Sequence, residues 1–385
     1  MPYTQAAVRD RPYAQELPYG YRECLREISR AKPAWAESGV EYARILEIAH
    51  SPCGENGALL VTFEELKRES GKTPGYPVFY SADRGDHWER RGYVTDPGPL
   101  EARWNPHLYE LPCAFGGLPA GTVLLAGVSL DREKTAIVLY QSGDTGRTFA
   151  RHAVIAEGGS VGGHGVYEPF LLLREDGTLI CYYSDETAAE RHSQRLVLRT
   201  SRDGVTWSDP VTVAASTVQT DRPGMPVVTP MGGGRFFMVY EVVGREGNPI
   251  YCRTSADGLD WGDPADIGTP LVSTDGKQPG SAPYCGWLPQ GTAEGILVVS
   301  ATFMRRGVSH TGGGTDYFIS RDGGTTWETA PHPIPYTGGH VKFGYSNGFT
   351  FSASGAYLYA VNNPGADETA RYSAIRFARV RLHAE

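Results

Sequence analysis

SADRGDHW at Ser81–Trp88 is the stretch that decides the fold, because near-copies of it return four more times. They are SGDTGRTF at Ser142–Phe149, SRDGVTW at Ser201–Trp207, SADGLDW at Ser255–Trp261 and SRDGGTTW at Ser320–Trp327. The copies recur at roughly sixty-residue intervals, a period that signals a repeat architecture. Each follows a short apolar run: PVFY, AIVLY, RLVLRT, IYCRT and DYFI. The residue types suit a hairpin turn. An Asp carboxylate accepts backbone N–H groups within the turn, and glycine supplies positive φ. The closing Trp or Phe is placed to wedge between neighbouring sheets. The five aspartates, Asp83, Asp144, Asp203, Asp257 and Asp322, therefore read as structural.

About sixty residues make one four-stranded blade with generous loops. Across 385 residues this predicts an all-β, six-bladed β-propeller with Asp-box repeats. The repeats resemble those of the sialidase-type propellers. Five blades carry boxes. The sixth is expected to combine Phe349–Phe351, Tyr357–Ala360 and Ala374–Val380 with a strand from the N-terminal region, which closes the ring and removes free sheet edges. The propeller is assigned to 36–385. Residues 1–35 are expected to be an extension packed on it, with Tyr21–Ile28 as a short helix on the rim. The composition agrees: 48 glycines and 27 prolines suit many tight turns, and 22 tyrosines with 7 tryptophans supply an aromatic core and sugar-stacking rings.

A net charge of −8 argues against a nucleic-acid backbone as partner. The six cysteines show no CxxC spacing and read as free thiols, mostly buried. The first thirty residues have no apolar h-region, and runs such as Gly295–Ser300 are too short to span a bilayer. A cytoplasmic monomer is expected, unless a secretory leader has been removed. No membrane partner, metal or cofactor is expected.

Propeller sites form where the innermost strands converge at one end of the channel. Two glutamates break the apolar pattern there: Glu168 in GGHGVYEPFLLL, opening the third blade, and Glu241 in GGRFFMVYEVVG, in the fourth. Each follows a tyrosine, Tyr167 and Tyr240. A converging carboxylate pair is the equipment of glycoside hydrolysis. Proximity and burial raise one pKa and separate the roles.

The segments GVYEPFLLLREDGTLICYYSDE and DRPGMPVVTPMGGGRFFMVYEVVG resemble glycoside hydrolase family 93, with GSAPYCGWLP and GILVVS in the same pattern. Members of that family are exo-α-1,5-L-arabinanases on a sialidase-like propeller. The resemblance spans roughly residues 38–380. It implies an arabinan-like oligosaccharide or polysaccharide substrate, retaining release of arabinobiose, Glu168 as nucleophile and Glu241 as acid/base. Tyr167 stands where the family usually has Trp.

Further substrate-binding candidates are Arg44 in EYARILEI, Asn105 in WNPHLYELP, His164 beside Glu168, Tyr183 and Asp185 closing the next strand, Arg222 in DRPGMP, and Tyr345 in GYSNG. A sialidase is the nearest alternative, since a tyrosine near that point is its nucleophile. The sialidase arginine triad is not matched, and Glu241 at a triad position would repel an anionic sugar. A non-catalytic carbohydrate-binding propeller is the other alternative.

Overall fold

The computed structural model describes residues 15–30, 39–65, 73–306, 309–311, 316–335, 345–364 and 373–383. Apart from a 3₁₀ turn at Gly232–Gly234, its regular elements are all strands. Six meander sheets form the blades. The first four begin with the inner strands Val40–Glu47, Glu101–Glu110, Val166–Leu173 and Arg222–Pro230. Blade five begins at Tyr284–Leu288 and blade six at Phe349–Phe351. Each inner strand touches the next all the way round, so their ends share one channel. A small additional sheet, Lys277–Gly280 with Phe303–Arg306 and Ser309–Thr311, is appended at blade five.

The sequence places the sixth blade correctly. Phe349–Phe351, Tyr357–Asn362 and Ala374–Leu382 are joined by Gly20–Arg30, with Gln15–Leu17 at the edge. The helix expected at Tyr21–Ile28 is therefore a strand, paired antiparallel to Ala374–Leu382. Its pattern GYRECLREIS alternates Cys24 and Leu25-type apolar positions with charge too weakly to advertise a strand. The sheet edge left by the last strand decides the outcome. Residues 15–30 are thus part of the propeller rather than an extension packed on it.

The five repeat turns share one hydrogen-bond pattern. In the first, Ser81 Oγ donates to Asp83 Oδ1 at 2.8 Å and accepts from Gly85 N at 2.8 Å. Asp83 Oδ1 also accepts the His87 amide at 2.9 Å, and Trp88 Nε1 donates to Gly85 O at 3.0 Å. The same Ser–Asp and Gly–Ser bonds recur at Ser142, Ser201, Ser255 and Ser320. The amides of Thr206 and Val205 hold Asp203 down to about 2, so it is ionised and fully occupied by the turn. Gly85 is required twice over: its φ is 88°, and a Cβ would strike the Phe377 ring at 2.1 Å.

The aromatic that closes each turn packs backward onto the preceding blade. Trp88 meets Phe377 at 5.1 Å between ring centroids, Trp261 meets Tyr182 at 6.1 Å, and Trp327 meets Phe237 at 5.9 Å. Phe149 and Trp207 enter the clusters shared by blades one and two and by blades two and three. Blade six has chain ends where the others have this turn. There Tyr19 takes over, 6.0 Å from Tyr317 of blade five, with its hydroxyl donating to Pro331 O at 2.7 Å. The six cysteines are free: four are buried, while Cys53 and Cys113 are exposed.

The wedges carry inter-blade stability. Trp327→Ala, at a position 3% exposed, is expected to lose about 3–5 kcal/mol of unfolding free energy in a denaturant titration.

Candidate active site

At one point in or just before each inner strand the backbone turns left-handed. A non-glycine residue with left-handed φ sits there in every blade: Tyr42 (57°), Asn105 (54°), Glu168 (62°), Met225 (56°), Ser281 and Ala282 (60° and 45°), and Ser346 (58°). In the first four blades the register slips across this residue, the mark of a β-bulge. Pro106, Pro169, Pro226 and Pro283 follow directly in blades two to five. Proline has no N–H to leave unpaired, so it suits a point where the ladder is interrupted. Such strained positions cluster at functional sites.

Glu168 is itself a bulge residue. It is half-buried, and its Oε2 accepts from Ser184 Oγ at 2.5 Å and from the Met225 amide at 2.7 Å. Glu241 is 5% exposed on the second strand of the next blade. Its Oε2 accepts from Ser281 Oγ and the Ala282 amide, each at 2.8 Å. The two carboxylates are linked by one short piece of backbone. Gly224 lies opposite Glu241 in the ladder, and its neighbour Met225 binds Glu168. Glycine is needed there, since a Cβ on Gly224 would come within 2.5 Å of Gln194 Nε2 and 3.3 Å of Glu168 Oε2.

Burial, and then the charge of Glu241, push Glu168 up to about 7. Burial also raises Glu241, against the hydrogen bonds of Ala282 and Ser281. Arg222 is the opposing cation that favours the ionised form of both. Its Nη2 donates to the buried Glu186 carboxylate at 2.5 Å and to Gln194 Oε1 at 2.9 Å, which fixes the guanidinium beside the pair.

Of the other candidates, Tyr345 lies at the pair. Its hydroxyl reaches Met225 Sδ at 3.4 Å, and its ring is 6.3 Å from that of Tyr42. Burial and the two glutamates raise its pKa well above that of an ordinary phenol, which opposes a nucleophilic phenolate of the sialidase kind. Asn105 is buried at the neighbouring bulge, with Oδ1 accepting the Glu168 amide at 3.3 Å. Tyr167 is half-buried, 6.5 Å from the Trp104 ring, and its hydroxyl donates to Glu186 Oε2 at 3.2 Å. Arg44 is buried on the first inner strand, 3.9 Å over the Tyr42 ring and 5.1 Å from that of Tyr284, with Nη1 donating to Ala43 O at 3.0 Å. Beside it His107 stacks on Phe170 at 4.3 Å. Burial and then Arg44 depress this imidazole to about 3, so it is neutral.

Four candidates fall elsewhere. Tyr183 and Asp185 point away from the pair: the Tyr183 hydroxyl accepts from Arg199 Nε at 3.0 Å, and Asp185 is paired with Arg195 at 2.8 Å. Side chains alternate faces along a strand, and it is Ser184 between them that reaches Glu168. Tyr240 faces away from Glu241 for the same reason, with its hydroxyl on Ile267 O. His164 is exposed on the glycine-rich loop before Glu168.

Residues that the sequence reading missed are Tyr42, Ser184, Glu186, Gln194, Met225 and Ser281. The repeated residue-then-proline pattern at Asn105, Glu168, Met225 and Ala282 is a signal that would have located the bulges.

The chain is similar to the α-L-arabinanase of Penicillium chrysogenum, solved in complex with arabinobiose. The two are 31% identical, with a TM-score of 0.78 over 94% of this chain and 98% of that one. The chain belongs to glycoside hydrolase family 93. The family 93 α-L-arabinofuranosidase of Fusarium graminearum, also solved with arabinobiose, is 28% identical with a TM-score of 0.79 over the same shares. A protein of unknown function from Dyadobacter fermentans, 12% identical with a TM-score of 0.62, shares the fold. No family model and no curated protein matches the chain. Membership of family 93 makes this propeller a glycosidase.

The raised pKa of Glu168 has a stability consequence. Its ionised form is disfavoured in the folded state, so the folded protein gains stability as pH falls from above about 7 toward the ordinary carboxylate range, where both states are protonated. Glu168→Gln is expected to melt higher than the parent above pH 7, with the gap closing below about pH 5, in thermal scans across pH.

Proposed function

We propose that this family 93 chain is a retaining exo-α-1,5-L-arabinanase that releases arabinobiose from arabinan. The observation that carries the reading is the pair Glu168 and Glu241, held on either side of the Gly224–Met225 backbone and coupled electrostatically. A retaining enzyme needs its carboxyl groups roughly 5–5.5 Å apart, with one proton between them. In the roles implied by the family resemblance, Glu168 attacks the anomeric carbon and the glycosidic bond to the leaving oxygen breaks. Glu241 delivers its proton to that oxygen. In the second half-reaction Glu241 takes a proton from water, whose oxygen displaces Glu168 and regenerates the acid.

One observation favours the reverse assignment. In the free site burial and the Glu241 charge raise Glu168 to about 7, which favours its protonated form, whereas a nucleophile must be ionised. With Glu168 as acid, Glu241 is the nucleophile, and Ser281 and Ala282 stabilise its charge. Either way the productive state carries one proton on the pair, so activity falls as pH rises through about 7.

Glu168→Gln and Glu241→Gln are each expected to lower turnover of linear arabinan by about 10³-fold or more, with little change in melting temperature below about pH 5. Wild-type turnover in either variant removes the pair from the mechanism. The roles separate in the Glu→Ala variants assayed with an aryl arabinobioside and azide. Loss of the nucleophile yields a glycosyl azide of inverted configuration, and loss of the acid/base yields one of retained configuration. Inversion is expected at position 168 if the family's roles hold.

A further inference from the structure

The ladder register exposes a correspondence between blades. Glu64, Ser184 and Glu241 each sit on the second strand of a blade, opposite the residue that precedes the bulge: Glu41, Tyr167 and Gly224. Each also accepts the bulge amide of the next blade. Glu64 Oε1 takes Asn105 N at 2.6 Å, Ser184 Oγ takes Met225 N at 3.2 Å, and Glu241 Oε2 takes Ala282 N at 2.8 Å. Glu64 is therefore the first-blade counterpart of Glu241, and it is 3% exposed. What differs is the bulge it holds. Asn105 donates both its amide and, at 3.4 Å, its side-chain Nδ2 to Glu64 Oε1, while its Oδ1 accepts the amide of Glu168.

We propose that Glu64 is a positioning residue for Glu168, acting through Asn105. The carboxylate orients the Asn105 amide group, because an Asn that gives Nδ2 to Glu64 must turn Oδ1 toward the next blade. That oxygen fixes the left-handed turn at Glu168 and so the height at which its carboxyl enters the channel. Charge-assisted bonds to N–H groups are stronger than neutral ones, so a carboxylate is suited to hold a strained bulge. The assignment of Glu64 rests on the reading of Glu168 as one of the reacting pair.

The test is a set of three variants. Glu64→Ala is expected to lower kcat on linear arabinan by about 100-fold with KM within about twofold, the signature of a displaced reacting group. The basic limb of its pH–rate profile moves to lower pH, because a Glu168 carboxyl released from Glu241 is easier to ionise. Glu64→Gln keeps an acceptor oxygen and is expected to stay within roughly threefold of wild-type kcat. Asn105→Gly tolerates the positive φ while removing the relay, and it shifts the limb in the same direction even if Glu64→Ala fails to fold. An unshifted limb in Asn105→Gly, wild-type kinetics in Glu64→Ala, or equal losses in the Ala and Gln variants would overturn the proposal. Titration of Glu168 by carboxyl-carbon NMR in wild type and Asn105→Gly needs no substrate. A lowered Glu168 pKa there sustains the positioning role even if arabinan proves not to be hydrolysed, and an unchanged one sinks it.

Discussion

A backbone amide that has left its ladder must find an acceptor, and that requirement organises the mouth of this propeller. Four inner strands break register at a left-handed residue, and the amides of Asn105, Glu168, Met225 and Ala282 are caught by side chains on the adjoining blade. The proposed reacting pair, Glu168 and Glu241, belongs to this arrangement. Glu168 is a bulge residue that also holds the next bulge, and Glu241 holds the one after that. Unpaired buried amides are costly, so the carboxylates are bound into the fold as firmly as into the chemistry. Arg222, anchored on Glu186, is the nearby cation that limits how far burial raises the pair.

Much of the fold was legible because its repeat is spelled by turn chemistry. Only a short acceptor, a carboxylate two residues on and a glycine complete the Ser81–Gly85 turn, so the pattern survives in five copies. The closing strand Gly20–Arg30 was less legible, because its partner Ala374–Leu382 lies at the far end of the chain and no local pattern names it. Tyr19 shows the same limit. It takes the place of a wedge without any of the wedge's neighbouring sequence.

The site was half readable. Glu168, Glu241, Arg222, Asn105 and Tyr345 stand out as polar residues at strand ends, and the structure gathers them. Tyr183 and Asp185 share one face of Leu179–Asp185, which runs in unbroken register with Arg195–Ser201, and the residue between them, Ser184, takes the other face and meets Glu168; nothing local in the sequence says which face looks toward the next blade. Glu186 reads as a surface carboxylate in SDETAAER, yet it is buried beneath Arg222 because that arginine comes from another blade.

The pairing of Gly20–Arg30 with Ala374–Leu382 also bears on how the molecule is made. The ring has no complete edge-to-edge closure until its last strand exists, so a nascent chain emerging from the ribosome waits with its first strand unsatisfied. Loop closure over nearly the whole polypeptide is slow, and an open strand edge is adhesive meanwhile. The interval before Ala374–Leu382 emerges is therefore the one in which this strand edge is most open to aggregation, and pairing of that strand with Gly20–Arg30 is the event that ends it.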